Sequence, residues 1–203
     1  MFSEKGELVL GTLTALGGSP GAGKSTLVCH MVGELNEKSI YVLAEEGEEP
    51  VADRADRLGI PMEKQSLVTT VLAIGNDDID LEGVIKATKA KVVFVDSISL
   101  LADDSSMAVE YCKILKALAT KYKLAIILTV HVTKDGGIAG LMALQHVVDC
   151  TMTFFPDEAQ AGVPRILHVE KNRNGPAYVS QVFLMKKKGL EIVGERNAME
   201  ELE

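Results

Sequence analysis

The chain has no tryptophan, and aromatic residues fill only 4% of its 203 positions. A core without large rings has to be packed with small aliphatic side chains, as the buried strands of parallel sheets are. Cysteine is sparse too: Cys29, Cys112 and Cys150 each stand alone on an apolar stretch. No C-x-x-C pair exists, so no zinc site is expected, and the three read as buried thiols of a reducing cytosol. No apolar run reaches the roughly 18 residues a membrane span needs. Met1 to Gly6 is polar and no cleavable apolar stretch follows, so no signal peptide is expected and the expected location is cytoplasmic. Positive charge is in deficit, 21 Lys and Arg against 29 Asp and Glu, for a formal net charge of −8. That balance argues against a broad phosphate-binding surface on a single copy, while leaving room for a local basic groove or one built from several copies.

What is present points to a globular α/β protein. Hydrophobic residues make up 47% and charged residues 25%, and the length suits one domain spanning residues 1–203 with a short acidic tail from Glu195 to Glu203. Apolar runs alternate with amphipathic ones. Strands are predicted at Thr12–Leu16, Ser39–Ala44, Leu67–Leu72, Val92–Val95 and Leu124–Val130. Helices are predicted at Lys24–Leu35, Pro50–Leu58, Leu81–Lys89 and Met107–Tyr122. This order implies βαβ units and a mostly parallel central sheet flanked by helices. After Gly140 three strand-like runs follow at short spacing (Val147–Phe155, Arg165–Glu170, Val179–Met185), and they suggest a C-terminal antiparallel extension at one sheet edge.

Five segments carry chemistry. Gly18-Ser19-Pro20-Gly21-Ala22-Gly23-Lys24-Ser25, followed by Thr26, satisfies G-x-x-x-x-G-K-[ST] and lies between a predicted strand and a predicted helix. Its glycines let backbone N–H groups curl inward onto phosphate oxygens, and the helix start adds its positive end. Lys24 is expected at the β- and γ-phosphates and Ser25 on Mg²⁺. Lys91-Val-Val-Phe-Val-Asp96 is an apolar strand ending in a carboxylate, suited to hold the same metal through water. Asp96 as a mere helix cap is the plain alternative. Tyr41-Val-Leu-Ala-Glu45-Glu46 also ends in carboxylates. Glu45, or less naturally Glu46, could take the proton of an attacking water, and either could be surface charge.

Ile126-Ile-Leu-Thr-Val-His131 ends beside a glycine-containing stretch, Val132 to Gly140. His131 is either a γ-phosphate contact that reports to that loop or an ordinary strand-end histidine. Glu170-Lys171-Asn172-Arg173-Asn174-Gly175 places two cations on one side of an extended segment. Such cations act on a phosphate, often a neighbouring subunit's, or sit in a solvated hairpin. Lys186, Lys187 and Lys188 form a basic turn.

The order of these segments resembles the ATPase core of the bacterial RadA/Sms family, which is RecA-like and acts in homologous recombination and DNA repair. The similarity runs from about Thr12 to Val193, and HVTKDG and KNRNG are its specific parts. The resemblance implies an ATPase that uses ATP and Mg²⁺. Lys24, Glu45, Asp96 and His131 would be catalytic, Ser25 and Asp96 would hold the metal, and Gly18 to Thr26 would bind nucleotide. It further implies that Lys171 and Arg173 act in trans on the ATP of an adjacent copy, within a homo-oligomer expected to be a hexameric ring or filament. Single-stranded DNA is the implied partner, with Thr133, Lys134, Lys186 and Lys187 as candidate contacts.

The departures from the family pattern are specific. Asn174 replaces a phenylalanine, Leu141 replaces a proline, and the stretch from Ala102 to Ala108 is shorter. The family's four-cysteine zinc module and Lon-protease-like domain are missing from this sequence, so a compact ATPase-only form is expected. Two other readings of the same core stay open, a KaiC-like nucleotide switch and a replicative-helicase-like motor.

Overall fold

The structure, a computed structural model, describes residues 8–35, 37–43, 46–60, 65–69, 80–98, 105–132, 143–158 and 160–197. Its elements run β1 (Thr12–Gly18), α1 (Lys24–Glu34), β2 (Ser39–Leu43), α2 (Glu48–Leu58), β3 (Gln65–Thr69), α3 (Leu81–Thr88), β4 (Val92–Asp96), α4 (Ser105–Tyr122) and β5 (Ala125–His131). Four strands complete the chain: β6 (Cys150–Pro156), β7 (Arg165–Asn172), β8 (Val179–Lys186) and β9 (Gly189–Asn197). All lie in one sheet of nine strands, ordered β3-β2-β4-β5-β1-β6-β7-β8-β9.

Strands β1, β2, β4 and β5 are mostly apolar because helices cover both faces of that part of the sheet. Leu13, Ala15, Val93, Val95, Ile126 and Leu128 pack against α3 and α4 through Leu81, Ile85, Cys112, Leu115 and Ala119. Leu16, Tyr41, Phe94 and Ile127 pack on the other face against Leu27, Val28 and Val32 of α1 and Val51 and Ala55 of α2. The three thiols are free and buried within these layers, and burial pushes that of Cys112 up to about 12.

Local signals set the helix ends. Pro50 is tolerated in the first turn of α2, where no intrahelical N–H bond is lost, so the helix begins at Glu48, ahead of the predicted start. Gly59 closes it at φ +71. Asp80 caps α3 by accepting from the Gly83 amide at 2.7 Å.

The C-terminal part differs from the sequence expectation in two ways. Of the three runs predicted to form the antiparallel extension, the first is parallel: β6 pairs with β1 in the register Thr14↔Cys150. The change of direction comes one strand later, at β7. In addition Gly189–Asn197 is a ninth strand that was not predicted. Its sequence, GLEIVGERN, carries two glycines and three charges, and as an edge strand it leaves Ile192 67% exposed. Little apolar alternation is therefore available to read. The chain stays in the sheet through Asn197.

Candidate nucleotide site

β1 is buried along its full length and delivers the chain to the carboxyl edge of the sheet at Gly18. The turn that follows needs glycine for two distinct reasons. Gly21 and Gly23 have φ of +77° and +103°, a region closed to most side chains. At Gly18 the limit is space, since a Cβ there would stand 2.4 Å from the carbonyl oxygen of Phe154. α1 then starts at Lys24, with Gly23 at its N-cap. No side chain caps this end, and its first turn contains no acidic residue. The amide groups and positive pole of α1 are thus presented to an anion. Lys24 is buried, and its ammonium bends back over the loop to donate to the carbonyls of Gly18 at 2.8 Å and Ser19 at 3.1 Å.

Two cavities border the loop. The smaller, about 380 Å³, runs along Gly21, Gly23, Lys24, Ser25 and Thr26, with Glu46, Arg54, Arg57, His131 and Met185 on its walls. The larger, about 840 Å³, is bordered by Gly18 to Ala22 together with Thr153, Phe155, Pro156, Val163 and Arg165. Arg165 also donates to the Ala22 carbonyl at 3.1 Å, tying β7 to the loop.

Asp96, at the tip of β4, is 4% exposed. Each flanking strand gives it one hydroxyl: Tyr41 of β2 donates to Oδ2 at 2.9 Å, and Thr129 of β5 donates to Oδ1 at 2.5 Å. Burial, and then the Asp96 charge, push the Tyr41 phenol well above its ordinary range, so it stays a donor. Asp96 is not among the residues lining either cavity. A carboxylate so held could act on a cation at the loop only through water. Ser25 and Asp96 are both oxygen donors, the chemistry magnesium takes, and that ion is commonly completed by phosphate and water rather than by a protein cage. The described residues contain no cluster of three or more His, Cys, Asp or Glu able to enclose a metal.

Asp96 apart, the predicted residues fall into four groups. Gly18 to Thr26 and His131 come together. His131 is paired with Gly18 in the β1–β5 register, and the next amide, that of Val132, donates to the Gly18 carbonyl at 3.2 Å. Glu45, Thr133 and Lys134 lie outside the described residues. Lys171 and Arg173 lie at the far end of the sheet. Arg173 follows β7 and its amide bonds the Asp149 carbonyl, while the Asp149 side chain accepts from the amide of Leu13 near the start of β1. From Leu13 to Gly18 is five residues along β1, or about 17 Å at 3.3 Å per residue. Lys186 and Lys187 are exposed in the β8–β9 turn. Their neighbour Met185 rests on the loop, its Cε 2.8 Å from where a Gly23 Cβ would be.

Several site residues were not singled out in the sequence. Tyr41 and Thr129 looked like ordinary strand residues. Arg54 binds both carboxylate oxygens of Glu46, at 2.5 and 2.8 Å, so that carboxylate is committed to α2. Arg54 and Arg57 did carry a signal, since a spacing of three puts them on one helix face.

A family model described as "ATPase: KaiC" matches residues 2–197. The DNA repair protein RadA of Haemophilus influenzae is 36% identical over 206 residues, covering 96% of this chain and 43% of that protein. RadA of Escherichia coli K12 is 32% identical over 204 residues, with the same two coverages of 96% and 43%. The chain therefore spans less than half the length of these curated relatives. Among solved structures, a KaiC-like protein from Pyrococcus horikoshii OT3 superposes with a TM-score of 0.78 over 94% of this chain and 93% of that one, at 19% identity, which shows the shared fold. With a phosphate-type loop at the tip of β1 and a family match along almost its whole length, the chain belongs to the KaiC family of ATPases and carries a RadA-like, RecA-type core.

Proposed function

We propose that the chain works as a single ATPase unit that hydrolyses ATP with Mg²⁺, as a homo-oligomer on single-stranded DNA, in DNA repair or recombination. The observation that carries this reading is the separation of the two charged sets. The anion cradle of Gly18 to Ser25 lies at one end of the sheet, and Lys171 and Arg173 lie at the other. A cation about 17 Å from its own loop acts on phosphate only if a second copy brings its loop there. The RadA proteins, similar over 96% of the chain, supply the link to DNA repair.

In this reading the loop amides and Lys24 grip the β- and γ-phosphates. Ser25 and Asp96 would hold the metal, Asp96 through water, and the ion would supply positive charge against the phosphates. Glu45 accepts a proton from the attacking water as its oxygen bonds to the γ-phosphorus and the bond to the ADP oxygen breaks. His131, beside Gly18, contacts the γ-phosphate and passes its loss to the segment from Val132 to Gly140, where Thr133 and Lys134 meet the DNA backbone. Lys186 and Lys187 add a basic edge. Lys171 and Arg173 offset the charge that develops on a neighbour's nucleotide. Such a protein would work in the cytoplasm.

A second reading, a KaiC-like switch in which hydrolysis times assembly on a partner, is favoured by the family model and by the archaeal fold neighbour. ATP turnover measured across protein concentrations, with and without single-stranded DNA, separates the two. Turnover per chain that rises with concentration and again with DNA supports the first. A rise with concentration and indifference to DNA supports the switch. Turnover per chain independent of concentration removes the shared site from both.

A further inference from the structure

Asp149 stands immediately before β6, and its side chain is 9% exposed. Three groups converge on it. The Leu13 amide of β1 donates to Oδ2 at 2.8 Å, and the Lys116 ammonium of α4 donates to the same oxygen at 2.6 Å. Arg173 donates to Oδ1 from Nη1 at 3.5 Å. Lys116 also bonds the Gly11 carbonyl at 2.9 Å. The carboxylate is therefore anchored on one oxygen to the two elements that form the far end of the core, and offers the other to the hairpin cation. Lys171 is held nearby by a different device: its ammonium donates to the carbonyls of Gln145 and of Val148, the latter at 2.8 Å. Burial, and then the charge of Arg173, push that ammonium below its usual range, while Asp149 pulls the other way.

We infer that Asp149 is a positioning residue for the trans-acting pair. By binding one edge of the Arg173 guanidinium it fixes the arginine on the rigid end of the sheet and leaves the remaining donors turned outward to a neighbour's phosphate. The inference rests on the proposal that Lys171 and Arg173 serve an adjacent copy. Its physical basis is the uneven grip. At 3.5 Å the contact is long, and the Arg173 side chain is 51% exposed, so the arginine is aimed without being used up. A guanidinium has five N–H donors in a fixed fork, and one edge can be anchored while the other binds phosphate. A surface arginine without that anchor would sample many rotamers and lose orientation.

Asp149→Asn tests this in the full chain, because an amide oxygen still accepts from Leu13 while the charge that orders Arg173 is gone. The variant should bind a fluorescent ATP analogue normally in dilute solution, yet turn over ATP between about 10- and 100-fold more slowly as an oligomer. Mixed with Lys24→Ala protein, which has a dead loop but sound trans cations, it should regain turnover beyond the sum of the two alone. Arg173→Ala mixed with Lys24→Ala is the reference. If that reference pair recovers and the Asp149→Asn pair does not, Asp149 acts on its own fold and the inference is overturned. Full turnover by Asp149→Asn alone overturns it as well. An Arg173→Ala protein as active as the parent removes the shared-site reading itself, a result distinct from either.

Lys116→Gln keeps the argument testable if Asp149→Asn folds poorly. That variant leaves the partner of Arg173 in place, and its amide N–H can still donate to Oδ2 of Asp149, so it should keep at least about half of the turnover. A loss as deep as that of Arg173→Ala would put the effect in the α4 contact and reject the role assigned to Asp149.

Discussion

The phenol of Tyr41 lies 2.9 Å from Oδ2 of Asp96, inside the sheet and one strand away. With Thr129 on the other oxygen, the carboxylate is supported from both sides before any cation arrives. Tyr41→Phe removes one support and leaves a buried acceptor short of a partner. Unfolding in urea should show a loss of about 1–3 kcal/mol, and half-maximal turnover should require more magnesium. An unchanged urea midpoint would mean that the hydroxyl does not support Asp96 in solution.

Gly18 and Gly21 are glycines for different reasons, and alanine should tell them apart. At Gly18 the new methyl meets the Phe154 carbonyl oxygen at 2.4 Å. β1 and β6 must part to admit it, at a cost of about 1–3 kcal/mol. At Gly21 nothing lies within 4 Å of the added carbon. The cost there is backbone strain alone, about 1–2 kcal/mol, borne by the loop. Thermal melts should therefore show the larger shift for Gly18→Ala, while Gly21→Ala should weaken nucleotide binding more than it lowers the melting temperature. The reverse ranking in melting temperature would contradict the packing described around β6.

Lys24→Ala should lower ATP turnover by at least about 100-fold, the usual scale for removing one preorganised phosphate contact. The fold should survive, because the ammonium donates to the loop carbonyls of Gly18 and Ser19 and the strands and helices are packed by other side chains. Turnover and circular dichroism on the same preparation check both halves. Retained turnover in a folded variant would place the chemistry elsewhere.

His30 on α1 accepts a hydrogen bond at Nε2 from the Leu190 amide of β9 at 2.8 Å. Burial holds its imidazole below the ordinary value of 6.5, with Glu34 pulling the other way. A group whose folded value is depressed adds stability that is complete above its unfolded value and is withdrawn as pH falls through the folded one. The parent should exceed His30→Ala in stability at pH 7.5 by about 0.5–1.5 kcal/mol. That gap should narrow steadily toward pH 5. A gap that widens on acidification would show that His30 is charged in the fold.

The half of the molecule that obeys βαβ rhythm was legible because β1, β2, β4 and β5 are buried on both faces and its glycines and prolines mark the helix ends. The loop of Gly18 to Ser25 was legible for a related reason: backbone geometry restricts which residues can stand there. Beyond β6 those signals fade. β6 is as apolar as β1, and nothing in its residues records whether a partner runs with it or against it. β9 is an edge strand with one buried residue near its start. The contacts of the site were harder still to read. Tyr41 and Thr129 serve Asp96 only because the sheet order places β2 and β5 beside β4, and Asp149 gathers Leu13, Lys116 and Arg173 from separations that sequence spacing does not encode.

The β8–β9 hairpin touches α1 at two places, Met185 against Gly23 at its first turn and Leu190 on His30 further along. The helix whose first turn would meet the phosphates in the proposed reading is therefore clasped by a solvent-facing ribbon. A displacement of α1 when a nucleotide enters or leaves must drag the lysine-tipped end of that ribbon with it. A dye attached at Lys187 would act as an outside gauge of what the interior holds, and an antibody or peptide that pins the ribbon would slow nucleotide exchange without entering the cavity.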